Sequence, residues 1–142
     1  MSPCNAKNKD IINSKIKYRE SFRPFCPSIQ AGYENKYIKN YRNAEYMIIS
    51  FDATEEAKKN IPAVVHIDGT TRPQIVYQRK NPRYYNLIEE FSKKTGTHAL
   101  LNTSMNIKGE PIICNPREAI KCFYDTGIDS LVMGNYIVRK KI

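Results

Sequence analysis

The chain has 142 residues and a formal net charge of +9, from 23 lysines and arginines against 14 aspartates and glutamates. A hydrophobic share of 41% and a charged share of 26% exclude a largely disordered chain and fit one folded domain over residues 1–142. No apolar run approaches the roughly 20 residues that span a bilayer, and residues 1–10 hold no apolar leader segment, so a cytoplasmic protein without a membrane partner is expected.

In chain order, Ile11, Ile12 and Ile16 predict a short amphipathic helix over 8–16. KYRESFRPFCPSI (17–29) carries two prolines that forbid a regular helix, and predicts an extended, strand-like segment with edges at Pro24 and Pro27. Residues 31–45 are polar and tyrosine-rich, as in a surface loop or short helix. Met47–Phe51 is a short apolar run that predicts a buried strand. Thr54 caps one or two helical turns over 54–60, with Glu55 and Glu56 at the positive end of the dipole. IPAVVHIDGTTRPQIVY predicts a strand, a tight turn at Asp68-Gly69 and a second strand.

Asn81-Pro82 opens the clearest helix, with Tyr84, Leu87, Ile88 and Phe91 at helical spacing and Gly96 as its stop. THALLN (97–102) predicts a strand that runs into the polar loop NTSMNIKGEP. A further helix starts at Asn115-Pro116 and ends at Gly127, with Ala119, Ile120 and Phe123 on its inner face. Two short strands close the chain around Gly134-Asn135. Strands and helices intermingle without a repeating βαβ rhythm, which predicts an α+β or irregular α/β fold with a mixed, twisted sheet and packed helices.

Three clusters carry candidate chemistry. Lys17, Arg19 and Arg23 differ by even numbers, so an extended backbone points all three to one face, with Glu20 turned away. Converging cations repel one another unless an anion sits between them, and phosphate matches the guanidinium fork; a solvated edge strand decorated with charge is the alternative. Asp68-Gly69-Thr70-Thr71-Arg72 sets backbone amides and hydroxyls beside an arginine, as in a phosphate contact or an ordinary turn. Asn102, Ser104 and Asn106 follow a strand, where α/β proteins hold ligands, although such residues also structure loops by themselves.

His66 and His98 flank apolar residues and read as core residues rather than bases. The cysteines (Cys4, Cys26, Cys114, Cys122) show no metal-finger spacing, so reduced thiols and no protein metal site are expected. GxxxxGK[ST] and GxGxxG loops are both absent.

Taken together, SKIKYRESFRPFCPSI, IPAVVHIDGTTRPQIV and the long run from NPRYYNLIEEF to GNYIV resemble the C-terminal, YrdC-like domain of NodU/CmcH-type O-carbamoyltransferases, in the same order from about Asn8 to Val138. The resemblance implies a YrdC-like twisted sheet with a basic cavity, and a K-x-R … S-x-N signature that falls on Lys17, Arg19, Ser104 and Asn106. It adds Arg23, Arg72 and Asn102. It implies that ATP, accompanied by Mg2+, and carbamoyl phosphate yield carbamoyl adenylate. Lys17, Arg23, Arg72 and Ser104 form the implied catalytic set, and Arg19, Asn102 and Asn106 complete the binding set. It further implies a neighbouring ASKHA-type domain or subunit that passes the carbamoyl group to a hydroxyl. The chain is expected to begin inside the usual interdomain region and to lack that N-terminal transfer domain. Two other readings stand beside this one, a YrdC-like module that binds RNA or a nucleotide without catalysis, and an inactive scaffold.

Overall fold

The computed structural model describes residues 1–140. The mixed α/β domain expected from the sequence is built of two compact units. One comprises Met1–Lys9 and Pro24–Thr103, the other Asp10–Arg23 and Ser104 onward.

In the first unit, strand β1 (Cys26–Gln30) is the centre of a three-stranded mixed sheet. It pairs in parallel with β4 (Gln74–Val76) and antiparallel with β5 (Ala99–Asn102). All five β1 residues are buried, as a central strand requires. Pro27 therefore lies inside a central strand instead of marking an edge. It is tolerated because it sits opposite Leu101, whose N–H goes to the Met1 carbonyl, and because pairing with β4 starts only at Ser28.

Helix α4 (Pro82–Thr95) lies against this sheet and has the ends expected of it: Asn81 accepts the Tyr84 N–H, Pro82 is the first helical residue, and Gly96 takes a left-handed φ of 71°. Ile88 packs with Val76 and Leu100, while Leu87 faces solvent. Thr54 caps the short helix α3 (Glu55–Asn60) by accepting the Ala57 N–H at 3.0 Å.

The segment around Asp68-Gly69 departs from the expected hairpin. Pro62–Val64 forms a 3-10 turn, β3 (Thr70–Thr71) pairs with β2 (Phe51–Asp52), and β4 turns away to β1. Proline at 62 removes a ladder donor, and a second proline at 73 ends β3, so neither flank extends far enough to pair with the other. The strand expected over Met47–Phe51 shrinks to Phe51–Asp52, leaving Ile48 exposed. Residues 31–45 hold a one-turn helix, α2 (Glu34–Tyr37), whose Tyr37 is core: it is fully buried and its hydroxyl accepts the His98 N–H at 3.0 Å.

Both histidines belong to this unit and are held by polar neighbours. His98 Nδ1 lies 2.8 Å from Gln30 Oε1 with its ring stacked on Tyr33, and His66 Nδ1 lies 3.1 Å from Thr70 Oγ1. Burial pushes both imidazoles below the ordinary value of 6.5. The unfolded chain therefore binds more protons as pH falls through 6.5, so the stability these groups leave intact at pH 7.5 is lost towards pH 5.5. A lower urea midpoint at pH 5.5 is expected, with a smaller drop in His66→Gln/His98→Gln; an equal drop in both proteins would refute the assignment.

The second unit joins the Asp10–Lys15 part of α1 (Lys7–Lys15) to α5 (Pro116–Asp125) and an antiparallel hairpin, β6 (Ser130–Met133) and β7 (Tyr136–Arg139). Asn115 accepts the Glu118 N–H, while Glu118 Oε2 accepts the Cys114 N–H at 2.8 Å, so both ends of the first turn are satisfied. Its core is Ala119, Phe123 and Leu131, flanked by Met105, Ile113 and Val138. Cys122 is buried where Ile120 was expected, because the packed face advances by three and four residues from Ala119. Gly127 gives its N–H to the Lys15 carbonyl, and a Cβ there would meet Lys15 at 3.0 Å.

Candidate functional site

The site is best built from the end of α1. Beyond Lys15 the chain does not extend. The N–H of Lys17 bonds the Ile12 carbonyl and that of Arg19 bonds the Asn13 carbonyl, and Tyr18 adopts φ 48°. This winding uses the carbonyls a helix end leaves open. Residues 17–25 are thus a compact loop rather than the expected strand, and alternation does not set their directions.

Asn13 sets them instead. Its side chain is 1% exposed, and its Nδ2 donates to the carbonyls of Ser21 (3.3 Å) and Arg23 (3.0 Å). Its Oδ1 accepts from Arg19 Nε at 2.8 Å. One buried amide thus fixes both limbs of the loop. Nothing in the sequence marks Asn13, because an asparagine within a predicted helix reads as neutral surface.

Lys17 is 4% exposed. Its ammonium donates to the Ser104 carbonyl, to Ser104 Oγ at 3.2 Å, to the Asn106 carbonyl at 3.2 Å and to Asn106 Oδ1 at 2.6 Å. Three protons are shared among four oxygens. Ser104 Oγ donates to Asn106 Oδ1 at 2.7 Å, and Asn106 Nδ2 donates to the Glu110 carbonyl at 2.9 Å. Burial, and next the charge of Arg19, push the Lys17 ammonium below the ordinary lysine range. The oxygen ring compensates for that burial with charge-assisted hydrogen bonds.

Lys17, Arg19, Arg23, Ser104, Asn106, Ile107, Lys108 and Gly109 line a cavity of about 180 Å³. Among the described residues its wall carries four cationic side chains and no carboxylate. Burial, then the neighbouring Arg23, depress the Arg19 guanidinium, the mark of like charges held together. Lys108 belongs to the loop singled out in the sequence, but no spacing rule assigns it a role. Glu20, expected to face away, instead bonds Arg23 Nε at 2.9 Å and Lys108 Nζ at 3.3 Å.

Arg72 and Asn102 belong to the first unit. Arg72 is exposed and lies 3.7 Å from Cys26 Sγ through Nη2. Asp68 Oδ1 accepts from Thr70 N and Thr70 Oγ1, so the DGT segment is an Asx turn. Asn102 Nδ2 donates to Ser28 Oγ at 2.9 Å and Gln74 Oε1 at 2.8 Å, and Ser28 Oγ donates to Gln74 Oε1 at 2.9 Å. This polar triangle links all three strands of the sheet. Ser28 and Gln74 carried no signal in the sequence.

All four cysteines carry free thiols, with Cys26 and Cys122 buried. Among the described residues no three His, Cys, Asp or Glu side chains stand close enough to hold a metal ion, and no helix is long and apolar enough to cross a membrane.

Residues 1–140 match the family described as Carbamoyltransferase C-terminus. The nodulation protein NolO of Bradyrhizobium diazoefficiens is 38% identical over 142 residues, covering 98% of this chain and 26% of NolO. A 3'-hydroxymethylcephem-O-carbamoyltransferase of Amycolatopsis lactamdurans is 31% identical over 133 residues, covering 94% of this chain and 25% of that enzyme. An uncharacterized protein of Methanocaldococcus jannaschii is 40% identical over 141 residues, covering 99% of this chain and 23% of its own length. The chain spans about a quarter of the length of these relatives. The sequence resemblance and the family match agree over almost every residue: the chain belongs to the carbamoyltransferase C-terminus family, the C-terminal domain of NodU/CmcH-type carbamoyltransferases.

Proposed function

We propose that this chain is the ATP- and carbamoyl-phosphate-binding domain of an O-carbamoyltransferase and forms carbamoyl adenylate for transfer to a hydroxyl. The observation that carries the reading is the cavity wall of Lys17, Arg19, Arg23 and Lys108, with no carboxylate among the described residues that line it. Its volume of about 180 Å³ lies below the roughly 300–1,000 Å³ of pockets that enclose drug-sized ligands. It suits carbamoyl phosphate or a nucleotide's phosphate group, with the rest of the nucleotide outside it. Concavity also favours a small anion over RNA, which calls for a broad basic face.

The chemistry balances as two displacements. Water releases inorganic phosphate from carbamoyl phosphate to give carbamate. A carbamate oxygen then bonds to the α-phosphorus of ATP, and the bond to pyrophosphate breaks. Both steps gather anions, and the fixed cations offset their mutual repulsion and the charge that develops as bonds change. Arg19 and Arg23 grip phosphate oxygens, while Lys17 holds the Ser104–Asn106 loop in place and adds its charge. Mg2+ travels on the nucleotide phosphates, as it commonly does. The acceptor hydroxyl and the ASKHA-type transfer domain belong to a neighbouring domain or subunit. The relative named for 3'-hydroxymethylcephem supports transfer to oxygen.

Calorimetric titration of the chain with ATP and Mg2+, with and without carbamoyl phosphate, tests this. Saturable binding that weakens in Arg23→Ala is expected, and pyrophosphate release only when both substrates are present. A folded chain that binds neither substrate would overturn the reading.

A further inference from the structure

Glu20 is a carboxylate that reaches two cations of the cavity wall, Arg23 and Lys108. Oε2 takes Arg23 Nε at 2.9 Å and Oε1 takes Lys108 Nζ at 3.3 Å, so the two carboxylate oxygens are divided between two walls of the same cavity. Arg23 and Lys108 are 85 positions apart in the chain, yet this one group ties them together. A pair of phosphate oxygens can bridge such cations in the same two-pronged way, with more negative charge behind it. The Glu20 side chain is 43% exposed and is not part of the cavity lining, so it can swing away without unfolding anything. Its own backbone amide, and next Lys108, hold its carboxyl below the usual range, so it is ionised throughout the neutral region.

We propose that Glu20 is a built-in stand-in for the ligand's phosphate, holding Arg23 and Lys108 in place until a phosphorylated substrate displaces it. The proposal rests on the reading of this cavity as a phosphate site and adds a rule of selectivity to it. A ligand must out-compete a carboxylate, so multiply charged phosphates enter and singly charged carboxylates do not. The same bridge keeps the cations from spreading apart while the cavity lacks a ligand.

The test is calorimetric titration with inorganic pyrophosphate and with acetate at low ionic strength, on the whole chain and on Glu20→Gln and Glu20→Asp. Glu20→Gln keeps the shape and removes the charge. It is expected to bind pyrophosphate about three- to fivefold more tightly, the size that two exposed ion pairs allow. Acetate binding is expected to become measurable only in Glu20→Gln, and the gain is expected to shrink with added salt. Glu20→Asp keeps the charge but is too short to span both cations, and should fall between. If wild type binds pyrophosphate and Glu20→Gln binds it equally or more weakly, the stand-in role is overturned and the phosphate site survives. If neither protein binds pyrophosphate while both show native circular dichroism, the phosphate reading and the stand-in role fall together.

Discussion

Replacing Lys17 with alanine is expected to abolish pyrophosphate and ATP binding and to lower stability by about 2–4 kcal/mol, the combined effect of four oxygens losing a charged donor. Lys17 is 4% exposed and its ammonium sits within the oxygens of Ser104 and Asn106, so its removal leaves acceptors that turn on one another. Ser104 Oγ has one proton and already gives it to Asn106 Oδ1, so it cannot also serve the two carbonyls. Lys17→Met separates packing from charge. It keeps the stem and should recover part of the stability but none of the binding. Lys17→Arg should fail as well, because a planar fork does not match a ring of oxygens arranged around a point charge. Urea denaturation followed by circular dichroism, with calorimetry on the same samples, checks both arms. An alanine variant with an unchanged midpoint and unchanged binding would show that the ring is incidental.

The second large effect belongs to a residue outside the cavity lining. Asn13→Ala is expected to cost about 1–3 kcal/mol, because the carbonyls of Ser21 and Arg23 lose a buried donor. Binding of pyrophosphate should weaken about tenfold or more, since misplacing positioned groups by small distances is expensive. Asn13→Asp gives the sharper reading. It retains the acceptor for Arg19 but turns a carboxylate oxygen on two carbonyls, so it should be at least as destabilising as alanine. A fully stable Asn13→Asp would mean that the loop is held by something other than this amide.

How legible all this was in the sequence depends on range. Where a rule acts over three or four residues, the sequence spoke plainly. Asn81 and Asn115 cap their helices before proline as expected, Thr54 caps Ala57, and Gly96 ends α4. The closing strands around Gly134-Asn135 pair as a hairpin. Pairings set by tertiary context did not show. The two flanks of Asp68-Gly69 look like hairpin strands, yet each finds a partner elsewhere, β2 for Thr70–Thr71 and β1 for Gln74–Val76.

Five of the candidate residues come together, but not by the local structure expected of them. Lys17, Arg19 and Arg23 do line one cavity with Ser104 and Asn106, but through a coiled loop around Asn13 and not through strand alternation. Chemistry-bearing residue types are visible in a sequence; an asparagine that orients them is not. Lys108 and Glu20 escaped for the same reason, since a charge on a polar loop gains meaning only from what stands opposite it.

The Lys17 ring joins residues 87 and 89 positions apart, and this long reach sets a timetable for synthesis. Closing such a loop carries about 2 kcal/mol more entropy than closing one of ten residues. At translation rates of about 5–20 residues per second, the cationic loop is synthesised roughly 4–17 seconds before its oxygen partners. Throughout that interval the newborn chain presents a lysine and two arginines beside a large polyanion, the ribosomal RNA. The unit that holds this cavity is thus the last part of the chain to reach its final contacts.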